Sequence, residues 1–272
     1  MLQGDRPANV DRRHTVRSSA SAAYSRSRRW LCAFAALAVG SGASGAAHAQ
    51  SSNLSGTVGL SSQLVDRGLA ITPDTTIAQG AVSWTLPSGW AFGAAASTEV
   101  RDATPLAEAF AQASHFWRLT PDWQFEAGLA YYDYPGRGGG AFNRAEGSAN
   151  WIYRDVLTLG ASAIYPTGGT DHALRGAADV DFHWPLPWHV SFAAGAGYAQ
   201  AQVPYYRVYP NGHGSYGYHG GDRVNSYGYG HLGLIWAQGP WRVEVDRMFV
   251  DASLRSENLA ASPWVATLSF SF

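Results

Sequence analysis

A single cysteine, Cys32, is all the thiol this chain has, and it lies ahead of an A-x-A-type cleavage site at Ala47-His48-Ala49. The segment 50–272 is therefore cysteine-free, which excludes disulfides, thiolate metal sites and a cysteine nucleophile together. Cys32 also sits too early in its apolar run to serve as a lipidation cysteine. Charge is scarce as well: 14% of residues are charged and the formal net charge is −1, so nothing offers nucleic acid an electrostatic footprint. Long apolar runs are missing too. No stretch approaches the roughly eighteen consecutive apolar residues that a membrane-crossing helix needs.

The first 49 residues read as an export signal. Residues 1–29 carry many arginines and no apolar run, 30–39 are a short apolar stretch, and Ala49-Gln50 follows the small-residue site. The sequence thus divides into a signal peptide, 1–49, and one unit, 50–272, with no linker or shift in composition inside it.

Tryptophan is abundant and unevenly placed. Trp84 and Trp90 bracket Pro87-Ser88-Gly89, Trp117 and Trp123 bracket Thr120-Pro121-Asp122, and Trp151 precedes Arg154-Asp155. Trp184 and Trp188 bracket Pro185-Leu186-Pro187, and Trp236 and Trp241 bracket Gln238-Gly239-Pro240. A water-soluble fold has no reason to gather Trp at one end of its hairpins. A bilayer interface has one, because the indole ring is apolar while its N–H favours hydrated headgroups. These nine tryptophans predict one aromatic girdle of a transmembrane β-barrel.

The turns recur about every 33 residues, near 88, 121, 154 and 186, and again near 239. Two strands of about ten residues, a tight turn and a longer loop fill that period. Period-two alternation supports it: Trp123, Phe125, Ala127, Leu129 and Tyr131 oppose Gln124, Glu126, Gly128 and Ala130, and Trp241, Val243 and Val245 oppose Arg242, Glu244 and Asp246. Ten residues at about 3.3 Å each, tilted about 40°, rise about 25 Å, the height of an outer-membrane apolar band. The prediction is an all-β, antiparallel up-and-down transmembrane barrel of about twelve strands. Its short turns face the periplasm, and the segments 66–76, 101–105, 134–141, 166–172, 203–225 and 251–262 face outside. Trp264, Ala266, Leu268, Phe270 and Phe272 share one face of the final strand, so Phe270 and Phe272 resemble the terminal signal read by barrel-assembly machinery.

Charges on such strands must face water or one another, since facing lipid is costly. The inward positions comprise Glu99, Glu108, Glu126, Glu146, Asp179, Asp181, Glu244 and Asp246 with Arg118, Arg144, Arg175 and Arg242, eight acids against four bases. From these, Glu99, Glu126, Arg144, Glu146, Arg175, Asp179, Asp181, Arg242, Glu244 and Asp246 are the candidate pore lining.

Several segments resemble the opening of the TorF-family porins. They are Gly56-Thr57-Val58-Gly59-Leu60-Ser61-Ser62 with Asp66-Arg67-Gly68, then Ile77-Ala78-Gln79-Gly80 and Ser88-Gly89-Trp90-Ala91-Phe92-Gly93. Tyr131-Tyr132-Asp133-Tyr134-Pro135-Gly136 with Asn143-Arg144-Ala145-Glu146 is similar to that family's Tyr-rich loop and following Glu. The resemblance implies an outer-membrane channel and leaves its cargo open. The loop after Arg67-Gly68 departs from the family's Ser-Gln pattern.

Other motifs carry less. Gly228-Tyr229-Gly230-His231-Leu232-Gly233 fits GxGxxG, but it runs on as a strand into Leu234-Ile235-Trp236 where the dinucleotide fingerprint needs a helix. Asp179, Asp181 and His183 alternate on one strand face about 7 Å apart, too far to share a small ion unaided, and read as wall lining rather than a metal site. No serine, histidine and asparagine set stands on the outward face, so no catalytic residue and no cofactor is expected. The expected partners are outer-membrane lipid, small polar solutes and the assembly machinery, with no nucleic acid. Two functions fit: a passive channel with a weak cation preference, or a closed structural or adhesive barrel acting through 203–225.

Overall fold

The computed structural model describes residues 53–104, 106–135, 143–168, 172–200, 205–208, 214–217, 226–256 and 260–272, so the expected signal peptide and most of 203–225 lie outside the described residues. In chain order the strands are β1 (Asn53–Ser61), β2 (Val65–Asp66), β3 (Leu69–Ala70), β4 (Ile77–Thr85), β5 (Trp90–Glu99), β6 (Glu108–Arg118), β7 (Trp123–Asp133) and β8 (Arg144–Tyr153). They continue as β9 (Leu157–Pro166), β10 (Arg175–Pro185), β11 (Val190–Ala199), β12 (Tyr205–Val208), β13 (Gly214–Gly217), β14 (Tyr227–Gln238), β15 (Trp241–Val250) and β16 (Trp264–Ser271), with one helical turn, α1 (Ala252–Ser256), before the last.

Twelve of these strands close into a single antiparallel barrel, in the order β1-β16-β15-β14-β11-β10-β9-β8-β7-β6-β5-β4. The two-stranded ribbons β2–β3 and β12–β13 stand outside that ring. Closure comes where the last strand meets the first: β16 pairs with β1 from Thr57↔Ser271 to Ser61↔Thr267. A closed ring leaves no unpaired strand edge, which is what backbone polar groups require in hydrocarbon.

Alternation decides the two faces. In β7, Glu126 is buried, while Leu129 is 71% exposed on the opposite parity. In β15 the buried Glu244 and Asp246 alternate with the exposed Val243 and Val245. The outward face is therefore apolar and the inward face polar, the reverse of a water-soluble barrel.

The tight turns owe their form to left-handed residues. Arg154 and Asp155 both have positive φ, closing β8 onto β9 in a two-residue turn with Val156 N–H donating to the Tyr153 carbonyl at 2.8 Å. Trp188 and His189 do the same between β10 and β11, where Trp188 is 86% exposed. Around the turn end, rings touch in an unbroken series over five strands: Trp84, Phe92, Trp90, His115, Trp117, Phe125 and Trp151, with centroids 4.3 to 6.2 Å apart. Trp123, Trp184, Trp236 and Trp241 stand on the same outward face. At the loop end a second outward set, Tyr131, Tyr165, Tyr198 and Trp264, is also exposed. Sequence reading found only the first ring, because the second is mostly tyrosine and borders loops of unequal length.

The segment 228–233 is continuous strand inside β14, as its run into Leu234-Ile235-Trp236 implies. One expectation for the loops fails. Residues 66–76 do not project outside: Asp66, Arg67, Leu69, Ala70, Ile71 and Thr72 are all buried, because the β2–β3 hairpin folds back into the barrel.

Candidate functional site: the interior and its hairpin

The hairpin begins at the loop end of β1, where Ser61 Oγ donates to the Gln63 carbonyl at 2.8 Å. Its stem is stitched by Ile71 N–H to the Leu64 carbonyl at 2.9 Å and by Gln63 Nε2 to the Thr72 carbonyl at 2.9 Å. The turn is Arg67-Gly68, with φ of 47° and 80°, between the pairs Val65↔Ala70 and Asp66↔Leu69. Two positive φ values make it a two-residue hairpin turn of the primed kind. Gly68 supplies the second at little cost, but an arginine in that region is strained and needs something to hold it there.

What holds it is the far wall. Arg67 Nη1 donates to Glu146 Oε2 at 3.3 Å and its Nη2 forms a charge-assisted bond to Glu146 Oε1, with Ser162 Oγ of β9 at 3.4 Å. Beside it, Arg144 Nη2 donates to Asp66 Oδ2 at 2.7 Å, and Arg144 Nε lies 3.7 Å from Glu146 Oε2. Two hairpin charges thus face two opposite charges at inward positions of β8, across the interior from where the hairpin starts. The Arg144 guanidinium also lies over the Tyr132 ring, 4.2 Å from its centroid. Burial works against the Arg67 charge, and the Glu146 and Asp66 carboxylates more than offset it, holding its pKa well above the ordinary value. Removing one member of such a buried pair costs about 3–5 kcal/mol, because it strands the other charge.

Apolar packing completes the arrangement. Leu64, Leu69 and Ile71 join one buried cluster with Ile77, Ala107, Tyr132, Tyr134, Ile164, Ala177, Ala199, Tyr227 and Leu254. This cluster draws on β4, β7, β9, β10, β11 and β14 as well as the loops, so the hairpin fills the loop end of the interior. Residues 260–263 clasp it from the neighbouring side. Ala261 N–H donates to the Gly68 carbonyl at 2.8 Å, and Ser262 N–H donates to Gln63 Oε1 at 2.7 Å. At the tip, a Cβ on Gly68 would stand 2.3 Å from Val250 Cγ1, so glycine is required for as long as Val250 keeps that methyl.

Below the hairpin the inward face is small and polar. Gln79, Ser83, Ser97, Ser114, Asn150, Thr158, Thr267 and Ser269 line it, with Glu126 accepting from Asn150 Nδ2 at 3.4 Å. Acidic groups gather on one side, and three lie flat against inward glycines of neighbouring strands. A Cβ on Gly233 would meet Asp246 Oδ1 at 2.0 Å, one on Gly195 would meet Asp181 Oδ1 at 2.3 Å, and one on Gly197 would meet Asp179 Oδ1 at 2.8 Å. Gly195 makes room for the His231 ring too, whose Cε1 lies 2.4 Å from the same point. Side chains of β10 and β15 thus rest in the space that Gly195, Gly197 and Gly233 leave.

Among the sequence candidates, the structure brings Arg144 and Glu146 together under the hairpin and pairs Arg242 Nη2 with Glu244 Oε2 at 2.5 Å. Glu126, Asp179, Asp181 and Asp246 also face inward, while Glu99 and Arg175 stand on the inward face at the loop end. Arg118 ends β6 exposed at the turn end, outside that group. Sequence reasoning missed the roles of Asp66 and Arg67. Their signal was the apolar flank Leu64-Val65 and Leu69-Ala70-Ile71, five residues that an outside loop would have left in water.

No family model and no curated protein matches this sequence, so the likeness to TorF-family porins rests on the residues quoted for it. Among solved structures, the NanC porin is similar at 12% identity, covering 80% of this chain and 99% of that one, with a TM-score of 0.50. The KdgM porin covers 80% and 98% at 9% identity, with a TM-score of 0.49. At such identities the likeness is one of fold: this chain is a closed twelve-strand antiparallel barrel of the kind found in porins.

Proposed function

We propose that the protein is an outer-membrane pore for passive movement of small polar or charged solutes, exported by a signal peptide cleaved after Ala49 and inserted by barrel-assembly machinery. The observation that carries the reading is the inverted polarity of the barrel. Large apolar side chains such as Leu54, Val82, Leu129 and Leu234 are exposed on the outside, and serine, glutamine and carboxylates line the inside. Such an exterior suits lipid and such an interior suits water. The resemblance to TorF-family porins agrees with it. The charged interior is the part that would select solutes.

With Arg118 outside the group and Asp66 and Arg67 added, nine carboxylates face four arginines, so a weak cation preference remains the expectation. The buried hairpin favours the second reading, a closed structural barrel. The two separate in planar bilayers, using refolded protein of verified heat-modifiable mobility and a variant in which 63–72 is replaced by Gly-Gly. Stepwise conductance from the hairpin-less barrel supports the pore. Silence from both proteins supports the closed barrel.

A further inference from the structure

We propose that the 63–72 hairpin is a gate, latched across the barrel by two ion pairs, Asp66–Arg144 and Arg67–Glu146, and that it withdraws from the interior as one unit. The proposal rests on the pore reading above. It begins from how the hairpin is attached. Among the described residues, the backbone-to-backbone bonds of 63–72 run within the hairpin or to Ala260 and Ala261, and none reaches a barrel strand. Withdrawal therefore breaks no sheet hydrogen bond of the barrel, and the wall remains intact.

Charge is the second argument. Breaking a buried ion pair is costly chiefly because it leaves a lone charge behind. Here neither state need do so. Asp66 and Arg67 are consecutive and leave together as a neutral pair, while Arg144 and Glu146 stand at successive inward positions of β8, already 3.7 Å apart. Four charges that pair hairpin-to-wall in the shut state can pair hairpin-to-hairpin and wall-to-wall in the open one. An exchange of partners of this kind gives two arrangements of comparable energy, the requirement for a bistable element.

Backbone strain is the third. Arg67 takes φ of 47° in the hairpin turn, and its bonds to Glu146 and Ser162 offset that strain in the shut state. The polar wall below the hairpin also acquires a use: water and solute reach it from both sides once the hairpin lifts.

The test exploits the cysteine-free segment 50–272. Gly68→Cys with Val250→Cys places two thiols where a Cβ at 68 stands 2.3 Å from a Val250 methyl, so oxidation ties the hairpin tip to β15. In planar bilayers, the oxidised protein should show no conductance steps, and adding reductant to the same membrane should restore them. Arg67→Glu should raise the open-to-shut ratio by about tenfold or more, the effect of stranding a buried charge. Arg67→Glu with Glu146→Arg should return it toward the wild-type ratio, which a merely destabilised fold would not do. An oxidised double-cysteine protein that conducts as well as its reduced form overturns the gate. So does a barrel lacking 63–72 whose conductance and open fraction equal those of the wild type. A folded hairpin-less barrel that never conducts instead overturns the pore reading itself.

Discussion

The ring of Phe272 occupies the place where a side chain on Gly56 would stand: a Cβ there would lie 2.6 Å from Phe272 Cε2. The same two residues exchange backbone hydrogen bonds, Gly56 N–H to the Phe272 carbonyl at 2.8 Å and Phe272 N–H to the Gly56 carbonyl at 2.9 Å. They sit on the seam where β1 meets β16, and Phe270 and Trp241 extend the contact on the outer face with centroids 5.0 Å apart. Gly56→Leu should therefore push the Phe272 ring off the seam and slow barrel closure, read as a smaller heat-modifiable fraction at a fixed folding time. Deleting Phe272 should slow assembly too. Unchanged folding of Gly56→Leu would show that the terminal ring is dispensable for closure.

Selectivity is the next expectation, and the structure sharpens which carboxylates can test it. Glu146 is tied to Arg67 and Arg144, so neutralising it alters the latch as well as the charge. Asp179 and Asp181 share the inward face of β10, but Asp179 is near enough to act on Arg67 and Glu146, whereas the charge acting on Asp181 is Asp179 itself. Asp181→Asn should lower cation preference in reversal potentials across a salt gradient, and the preference should fade as salt shortens the Debye length. An anion-selective wild type would refute the assignment of these acids to the conduction path.

Much of the barrel was legible because a strand that divides lipid from water must alternate; β5, β10 and β11 do so throughout, and β7 and β15 do so until their loop ends. The girdle was legible because Trp84, Trp90, Trp117 and Trp123 flank short turns of similar length. The hairpin was not, because four strand residues are too few to show a period, and Asp66-Arg67 in a loop reads as solvated charge. Its partners, Arg144 and Glu146, were found as inward residues but not as partners, since what joins them to the hairpin is distance across the barrel. The pairing of inward glycine with inward carboxylate was equally hidden: it depends on register between strands, which a single sequence does not print.

Tryptophan position is testable without any ion current. Trp84, Trp90, Trp117, Trp123, Trp151, Trp184, Trp236 and Trp241 face outward near the turns, and Trp188 stands at a turn with its ring exposed. Lipids brominated near the headgroup should quench their emission more than lipids brominated near the bilayer centre. A variant retaining only Trp188 should show the largest contrast, because the exposed ring at a turn lies furthest from the bilayer centre. Equal insensitivity to both lipids would place the protein outside the membrane.

Finally, the fit of Asp246 against Gly233 predicts a coupled pair of substitutions. In Gly233→Ala the new methyl would lie 2.0 Å from Asp246 Oδ1 and 3.0 Å from the Val245 carbonyl oxygen, so the carboxylate must swing into the interior and the backbone must give by a few tenths of an ångström. Overpacking of this kind costs about 1–3 kcal/mol. Two contributions are mixed in that cost, and Asp246→Ala separates them: it removes the carboxylate and leaves the backbone contact. If the carboxylate dominates, the double variant Gly233→Ala with Asp246→Ala should unfold at nearly the same denaturant midpoint as Asp246→Ala alone, while Gly233→Ala alone falls clearly below the wild type. An equal loss from Gly233→Ala in both backgrounds would assign the cost to the Val245 carbonyl. The displaced carboxylate should also act on ions, since it would project further into the conduction path. Gly233→Ala in the barrel lacking 63–72 should therefore conduct less per channel and favour cations more than its parent, and removing Asp246 should erase both effects.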